Sequence, residues 1–282
     1  LSERFIATGR NVIGFDPREE CCQQLRDIGG KPVGSADAVF QAADVVVLSL
    51  PNSDIVADVC VVARRLRAIE NSTMQAALTD QLRIIDTTTG DPVRTTELGR
   101  SLWEVGIDYL DATLTGSSQQ ARNGELVVTA GGRPEPFQQS ESLFRDFAKQ
   151  SFHVGPWGSG AKTKLIVNLV LGLNRAVLAE GLSLAQACGL ELSEVLNVLR
   201  SGAAYSRAMD TKGRKMIESD FAPEAKLAQH WKDVRLILAM SDRVAATTPL
   251  SQLHEELLSD LVQRGFGDFD NSSVIRAFDR KP

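Results

Sequence analysis

Residues 161–188 contain no proline, only Gly172 and Gly181 interrupt their helical propensity, and apolar side chains fall on nearly every face. A helix of that composition is buried on most sides. At about 1.5 Å per residue it extends roughly 40 Å, long enough to link two lobes. Gly158-Ser159-Gly160 before it is a fitting helix start, which places Lys164 and Asn168 four apart on one face in the first turns. Such a pair reaches one ligand together. An ammonium near a helix N-terminus is disfavoured by the peptide dipoles, and burial pushes the same way. A lysine so depressed takes a proton from a hydroxyl and returns it to a carbonyl, with Asn168 holding the same oxygen or a neighbouring hydroxyl. The competing reading is a solvated lysine beside an N-terminal polar residue.

Upstream, strands and helices alternate. A helix at residues 1–8 closes at Gly9, and an apolar strand at residues 11–15 ends at Asp16. Helices at residues 19–28 and 36–43 precede the β-branched strand of residues 44–50, which Pro51 stops. A helix at residues 54–69, a polar stretch at 70–78 and a strand at 82–85 lead to Asp86-Thr-Thr-Thr-Gly-Asp-Pro92. A helix to about residue 105, a strand at 107–110, a glycine-bounded strand at 124–132, a helix at 134–149 and a strand at 152–154 complete the pattern. This alternation predicts an α/β class with a doubly wound parallel sheet. Beyond it only helices are expected, at residues 193–199, 209–218, 225–240 and 250–264, and a Gly/Asp-rich turn over 265–273 leads to a short apolar helix. The domain division is expected at residues 1–157 and 158–282.

In doubly wound sheets ligands sit outside the carboxyl ends of the strands. Asp16 there reads either as a ribose-binding acid or as a helix cap, and Thr87, Thr88 and Thr89 as ligand contacts or a capping cluster. The hydroxyl-rich turn of residues 111–118 either binds a carboxylate or phosphate or is only a tight connection. Lys232-Asp233 by itself reads as a solvated mid-helix pair.

The chain of 282 residues is 43% hydrophobic and 24% charged, with a net charge of −5. That balance, without a dense Lys/Arg block, argues against nucleic acid as a partner. Asn168, Asn174, Arg175 and Glu180 interrupt the greasiest run, so no membrane span and no signal peptide are expected. Cys21, Cys22, Cys60 and Cys188 form no CxxC, which reads as reduced, cytoplasmic usage. His153, His230 and His254 lack ligand spacing, so no metal site is expected.

Together these stretches resemble the β-hydroxyacid dehydrogenases, the family of 3-hydroxyisobutyrate dehydrogenase and tartronate semialdehyde reductase, with 6-phosphogluconate dehydrogenase a distant relative. Residues 111–117 look like the family's DAPVSGG turn, and residues 158–168 like its GxGxxxKxxNN. Glu180 and Gly189 match its AEAL and GLD pattern, Lys232-Asp233 its KD pair, Leu50-Pro51 its LP, and residues 86–92 its DxST…P segment. The resemblance implies a Rossmann-type domain followed by an all-α domain. It implies Lys164 as general acid/base and Asn168 as the orienting residue. Thr115, Gly116 and Ser117 would bind the substrate carboxylate, and Asp16, Leu50, Pro51, Thr89 and Lys232 would contact the cofactor.

The implied reaction is reversible hydride transfer between NAD, with NADP not excluded, and a small 3-hydroxy acid, in a homo-oligomer. The retained lysine disfavours an imine-reductase-like branch. Two departures stand out: Val167 replaces the first Asn of NN, and DAPVSGG has become DATLTGS. The sequence also shows no GxGxxG and opens inside a helical pattern at Leu1. The expectation is an N-terminally incomplete copy of a working dehydrogenase, with a non-catalytic binding or assembly module as the alternative.

Overall fold

The computed structural model describes residues 1–72 and 82–279, so the polar stretch read at residues 70–78 falls outside it from residue 73 onward. The chain divides into two compact units, Leu1–Lys164 and Leu165–Pro282. The first is α/β. In order it comprises α1 (Ser2–Ala7), β1 (Ile13–Gly14), α2 (Glu19–Asp27), β2 (Lys31–Pro32), α3 (Ala36–Ala42), β3 (Val45–Leu48) and α4 (Ser53–Ser72). There follow β4 (Arg83–Asp86), α5 (Pro92–Trp103), β5 (Asp108–Thr115), α6 (Ser118–Asn123), β6 (Leu126–Gly132), α7 (Pro134–Phe144) and β7 (Ala148–Gly155).

β1 and β2 form a two-stranded parallel sheet, and a separate sheet has the order β3-β4-β5-β6-β7. Its strands pair in parallel except for β5 with β6, which are antiparallel. Side chains alternate faces along a strand. Ile84 therefore packs with Val46, Cys60 and Tyr109, while the next residue, Ile85, packs with Leu110, Val128 and Phe144. Helices cover both faces as a result.

The strand read at residues 107–110 continues to Thr115, because residues 111–115 pair with β6 from Asp111↔Gly131 to Thr115↔Val127. The expected turn at 111–118 is therefore mostly strand, followed by the unanticipated α6. The ten residues between β5 and β6 are fewer than the roughly dozen a parallel crossover needs, so β6 returns antiparallel. The helix read at 134–149 ends at Phe144, and β7 takes over from Ala148.

α8 (Ser159–Ala187) begins in the first unit and continues into the second, which adds α9 (Leu192–Ser201), α10 (Arg207–Glu218), α11 (Leu227–Arg243) and α12 (Pro249–Leu261). A π turn at Val262–Phe266 and a 3-10 helix at Asn271–Ala277 end the described chain. Contrary to the expectation from its polar interruptions, α8 is long and apolar enough, by length and composition alone, to cross a membrane. Asn168, Asn174, Arg175 and Glu180 do not offset the leucines, valines and alanines of so long a helix, and its buried face packs Leu178, Ala179 and Leu182 into the helical core. Asp270, fully buried, ties the end of the chain to α10. It accepts from Lys212 Nζ at 2.9 and 3.0 Å and from the backbone N–H groups of Glu224, Ala225 and Ser272. Burial alone would raise its pKa, but these donors outweigh it and hold the carboxyl at about 2.

His230 and His254 pack 5.2 Å apart on Gly172, where a Cβ would lie 2.4 Å from His230 Nε2 and 2.8 Å from His254 Cε1. Burial, then the nearby Arg175 charge, lowers both imidazoles, His254 to about 4 and His230 well below its usual value. The native unit thus keeps them neutral while the unfolded chain protonates them below about pH 6.5. Stability from this source is complete at neutral pH. It declines as pH falls from about 6.5 toward 4, by up to about 1.4 kcal/mol per pH unit for each histidine. Urea unfolding read through Trp231, beside His230, is expected to show a lower midpoint at about pH 5 than at about pH 7. His254→Gln is expected to shrink that difference.

Candidate active site

The end of β5 and the start of α8 are built as one piece. Asp111 Oδ1 accepts the N–H of Gly158 at 3.1 Å and Oδ2 accepts that of Ala161 at 2.9 Å, which satisfies donors a helix start leaves open. A Cβ on Gly160 would lie 2.1 Å from the Asp111 carbonyl oxygen, so only glycine lets the two backbones come this close. Thr113 Oγ1 adds contacts of 2.8 Å to Thr129 Oγ1 and 3.2 Å to the Gly160 carbonyl. Burial pushes Asp111 up to about 6, against the two N–H groups that favour its charge.

This joint carries Lys164 to the end of β5, where its Nζ donates to the Leu114 carbonyl at 2.6 Å. The next residue, Thr115, has a buried Oγ1 with no hydrogen-bond partner among the described residues. Gly116 has φ +140°, and a Cβ there would meet Leu126 Cδ2 at 2.5 Å. Ser117 caps α6 in a capping box: its Oγ accepts the Gln120 N–H at 3.2 Å, and its own N–H donates to Gln120 Oε1 at 3.0 Å. Lys164, Thr115, Gly116 and Ser117 thus share one end of the sheet.

In the helical unit Asn168 Nδ2 donates to Asp233 Oδ2 at 2.9 Å, and both residues are buried. A carboxylate only accepts, so this bond orients the Asn168 amide and leaves its carbonyl oxygen as the acceptor. Lys232 Nζ lies 3.2 Å from Asp233 Oδ1. The pair read as solvated is therefore half wrong: Lys232 is partly exposed, while Asp233 serves a buried amide.

A cavity of about 1870 Å³ opens along β1 and β3, with Asp16, Arg18, Leu50 and Pro51 in its lining. Asp16 accepts from the Arg18 backbone N–H at 2.9 Å and its guanidinium at 3.1 and 3.2 Å, which holds the carboxyl below the usual carboxylate range. Thr89 follows β4 and is half-buried, outside that lining. The threonines before it do not form a helix cap. Thr87 Oγ1 donates to the Leu48 carbonyl and Thr88 Oγ1 accepts the Leu50 N–H, tying the ends of β3 and β4 together. Asp91 caps α5 instead.

Residues 1–155 match the profile described as the NAD binding domain of 6-phosphogluconate dehydrogenase, and residues 158–278 the one described as NAD-binding of NADP-dependent 3-hydroxyisobutyrate dehydrogenase. The chain belongs to the β-hydroxyacid dehydrogenase family. It is 29% identical to 2-hydroxy-3-oxopropionate reductase of Escherichia coli K12 over 91% of this chain and 85% of that one. It is 27% identical to the cytokine-like nuclear factor N-PAC of Drosophila melanogaster over 96% of this chain, and it spans 44% of that protein's length. The solved structure of Mycobacterium tuberculosis 3-hydroxyisobutyrate dehydrogenase with L-serine shares the fold, with a TM-score of 0.84 and 23% identity over 99% of this chain and 94% of that one. In this family member the sequence reading missed two positioning residues, Asp111 and Asp233. An aspartate continuing an apolar strand is unusual enough to signal the first. Nothing in the sequence near residue 233 marks its Asn168 partner.

Gly160→Ala is expected to lower the unfolding free energy of the α/β unit by about 3 kcal/mol, because the new methyl meets backbone that cannot yield. Denaturant unfolding compared with the native chain checks this.

Proposed function

We propose that the chain catalyses reversible hydride transfer between a nicotinamide cofactor and the 3-hydroxyl carbon of a small, 3-hydroxyisobutyrate-like 3-hydroxy acid, giving the semialdehyde. The observation that carries this reading is the Lys164 amine held at the Leu114 carbonyl, next to the buried Thr115 hydroxyl, which has no hydrogen-bond partner among the described residues. An amine and a buried hydroxyl at one strand end suit a substrate bearing both an alcohol and a carboxylate. The Thr115 hydroxyl and the tight Gly116 turn receive the carboxylate, and Ser117 offers its hydroxyl hydrogen. Lys164 takes the proton of the substrate hydroxyl during oxidation and returns it to the carbonyl oxygen during reduction. Asn168, its amide oriented by Asp233, accepts a hydrogen bond through its carbonyl oxygen.

Asp16, Leu50 and Pro51 fit the adenosine side of a dinucleotide, since they follow the carboxyl ends of β1 and β3 and line one cavity. Thr89 and Lys232 are its further contacts in this reading. When bound, the nicotinamide accepts or supplies the hydride. Asp16 favours NAD, because an acid there repels a 2′-phosphate. Arg18 beside it would serve that phosphate once the acid is removed. Asp16→Asn is therefore expected to move the kcat/KM ratio of the two cofactors toward NADP.

The direct test is turnover of a panel of small 3-hydroxy acids and their semialdehydes with each cofactor. Lys164→Ala is expected to lower kcat by about 10²–10⁴-fold, while cofactor affinity, followed by fluorescence titration, is retained. Undiminished turnover in that variant removes the acid/base role. A second reading, a non-catalytic binding or assembly module, draws on the similarity to the nuclear factor N-PAC. It predicts no turnover of any panel member by the folded chain.

A further inference from the structure

Between α4 and α5 the α/β unit holds a cavity of about 310 Å³, within the size range of small-molecule sites. It shares no lining residue with the larger cavity at Asp16, and Lys164 and Thr115 lie outside it. Val56, Ala57 and Val61 of α4 and Leu98 of α5 give it apolar walls. Asp86 and Tyr109, 4% and 1% exposed, lie at its deep end, and the exposed Arg64 and Arg94 stand at its mouth.

The deep end offers acceptors without a counter-ion. Asp86 Oδ1 accepts the Thr88 N–H at 2.9 Å, and Oδ2 accepts the Tyr109 hydroxyl at 2.8 Å. Among the described residues no cation pairs with this carboxyl, and burial raises its pKa. A buried carboxylate is ordinarily paired or gives up its charge, and it has more acceptor positions than these donors fill. The Tyr109 oxygen, its own hydrogen spent on Asp86, only accepts from a further group. An ammonium, with three donors and a positive charge, answers both needs at once. At the mouth Arg94 is paired with Asp54, whereas no ion pair engages Arg64 among the described residues. Glu97 also lines the cavity, so the mouth suits one carboxylate and disfavours a phosphate.

We propose that this cavity binds a small aliphatic amino acid, its ammonium on Asp86 and Tyr109, its side chain against Val56, Val61 and Leu98, and its carboxylate on Arg64. Acceptors inside, apolar walls between and a free cation outside match the order of groups in such a molecule. A simple amine leaves Arg64 unanswered. A simple acid brings a second negative group toward Asp86 and supplies no donors. The proposal does not depend on hydride transfer, because no residue of the Lys164 site takes part.

Isothermal titration of the full chain with leucine, norvaline and alanine tests the proposal, with isoamylamine and isocaproate as the leucine analogues that lack one charged group. Leucine is expected to bind about tenfold or more tighter than either analogue. Ala57→Phe, which fills the cavity from its wall, is expected to abolish binding. Arg64→Gln is expected to weaken leucine about tenfold and to leave isoamylamine unchanged. Arg64 is exposed and Ala57 partly so, and unchanged circular dichroism confirms that both variants fold. Lys164→Ala is expected to bind leucine as the native chain does, which places the heat outside the hydride-transfer site. Absence of binding at millimolar concentration by all three amino acids overturns the proposal. So does equal binding of isocaproate or isoamylamine, an affinity indifferent to Ala57→Phe, or binding lost in Lys164→Ala.

Discussion

Most of the candidate site depends on one carboxylate. Asp111 receives two N–H groups at the start of α8, so the end of β5 and the first turn of that helix cannot move apart without leaving buried donors unmet. Gly160 lets the two backbones touch, and Thr113, two residues along the same strand, joins the Gly160 carbonyl to Thr129 of β6. Lys164 is thereby aimed by rigid backbone and meets the Leu114 carbonyl without a flexible loop between. A precise position for a long, entropically expensive side chain follows from this arrangement.

The two units differ in how they treat buried charge. The helical unit keeps Asp270 ionised by surrounding it with Lys212 and three backbone donors, and keeps His230 and His254 neutral by burying them beside the Arg175 charge. In the α/β unit burial prevails over hydrogen bonding: Asp86 and Asp111 are both raised, although each accepts hydrogen bonds. Acid therefore works against the helical unit while it relieves the sheet's buried carboxyls.

The alternation of elements was legible in the sequence because strand and helix periods differ and because Pro51, Pro92 and Pro134 punctuate them. The long α8 was legible for the same reason. What escaped were features decided by partners distant in sequence. Residues 111–115 look like a turn because they are small and polar, yet pairing with β6 makes them strand. Asp233 looks solvated beside Lys232, yet Asn168, sixty-five positions away, makes it a buried acceptor. Lys164 was found from its place in the helix. The carbonyl that holds it lies fifty positions upstream, beyond any local pattern.

The antiparallel return of β6 also bears on how the chain assembles. β5 and β6 are joined by a short connection, so their contacts close small loops and cost little chain entropy. The parallel pairs β3–β4 and β4–β5 each await a whole intervening helix. The turn holding Thr115, Gly116 and Ser117 therefore belongs to the portion of the sheet that forms most readily. Capture of α8 by Asp111 depends on a strand already in register, so the lysine arrives at a surface whose shape is set before it.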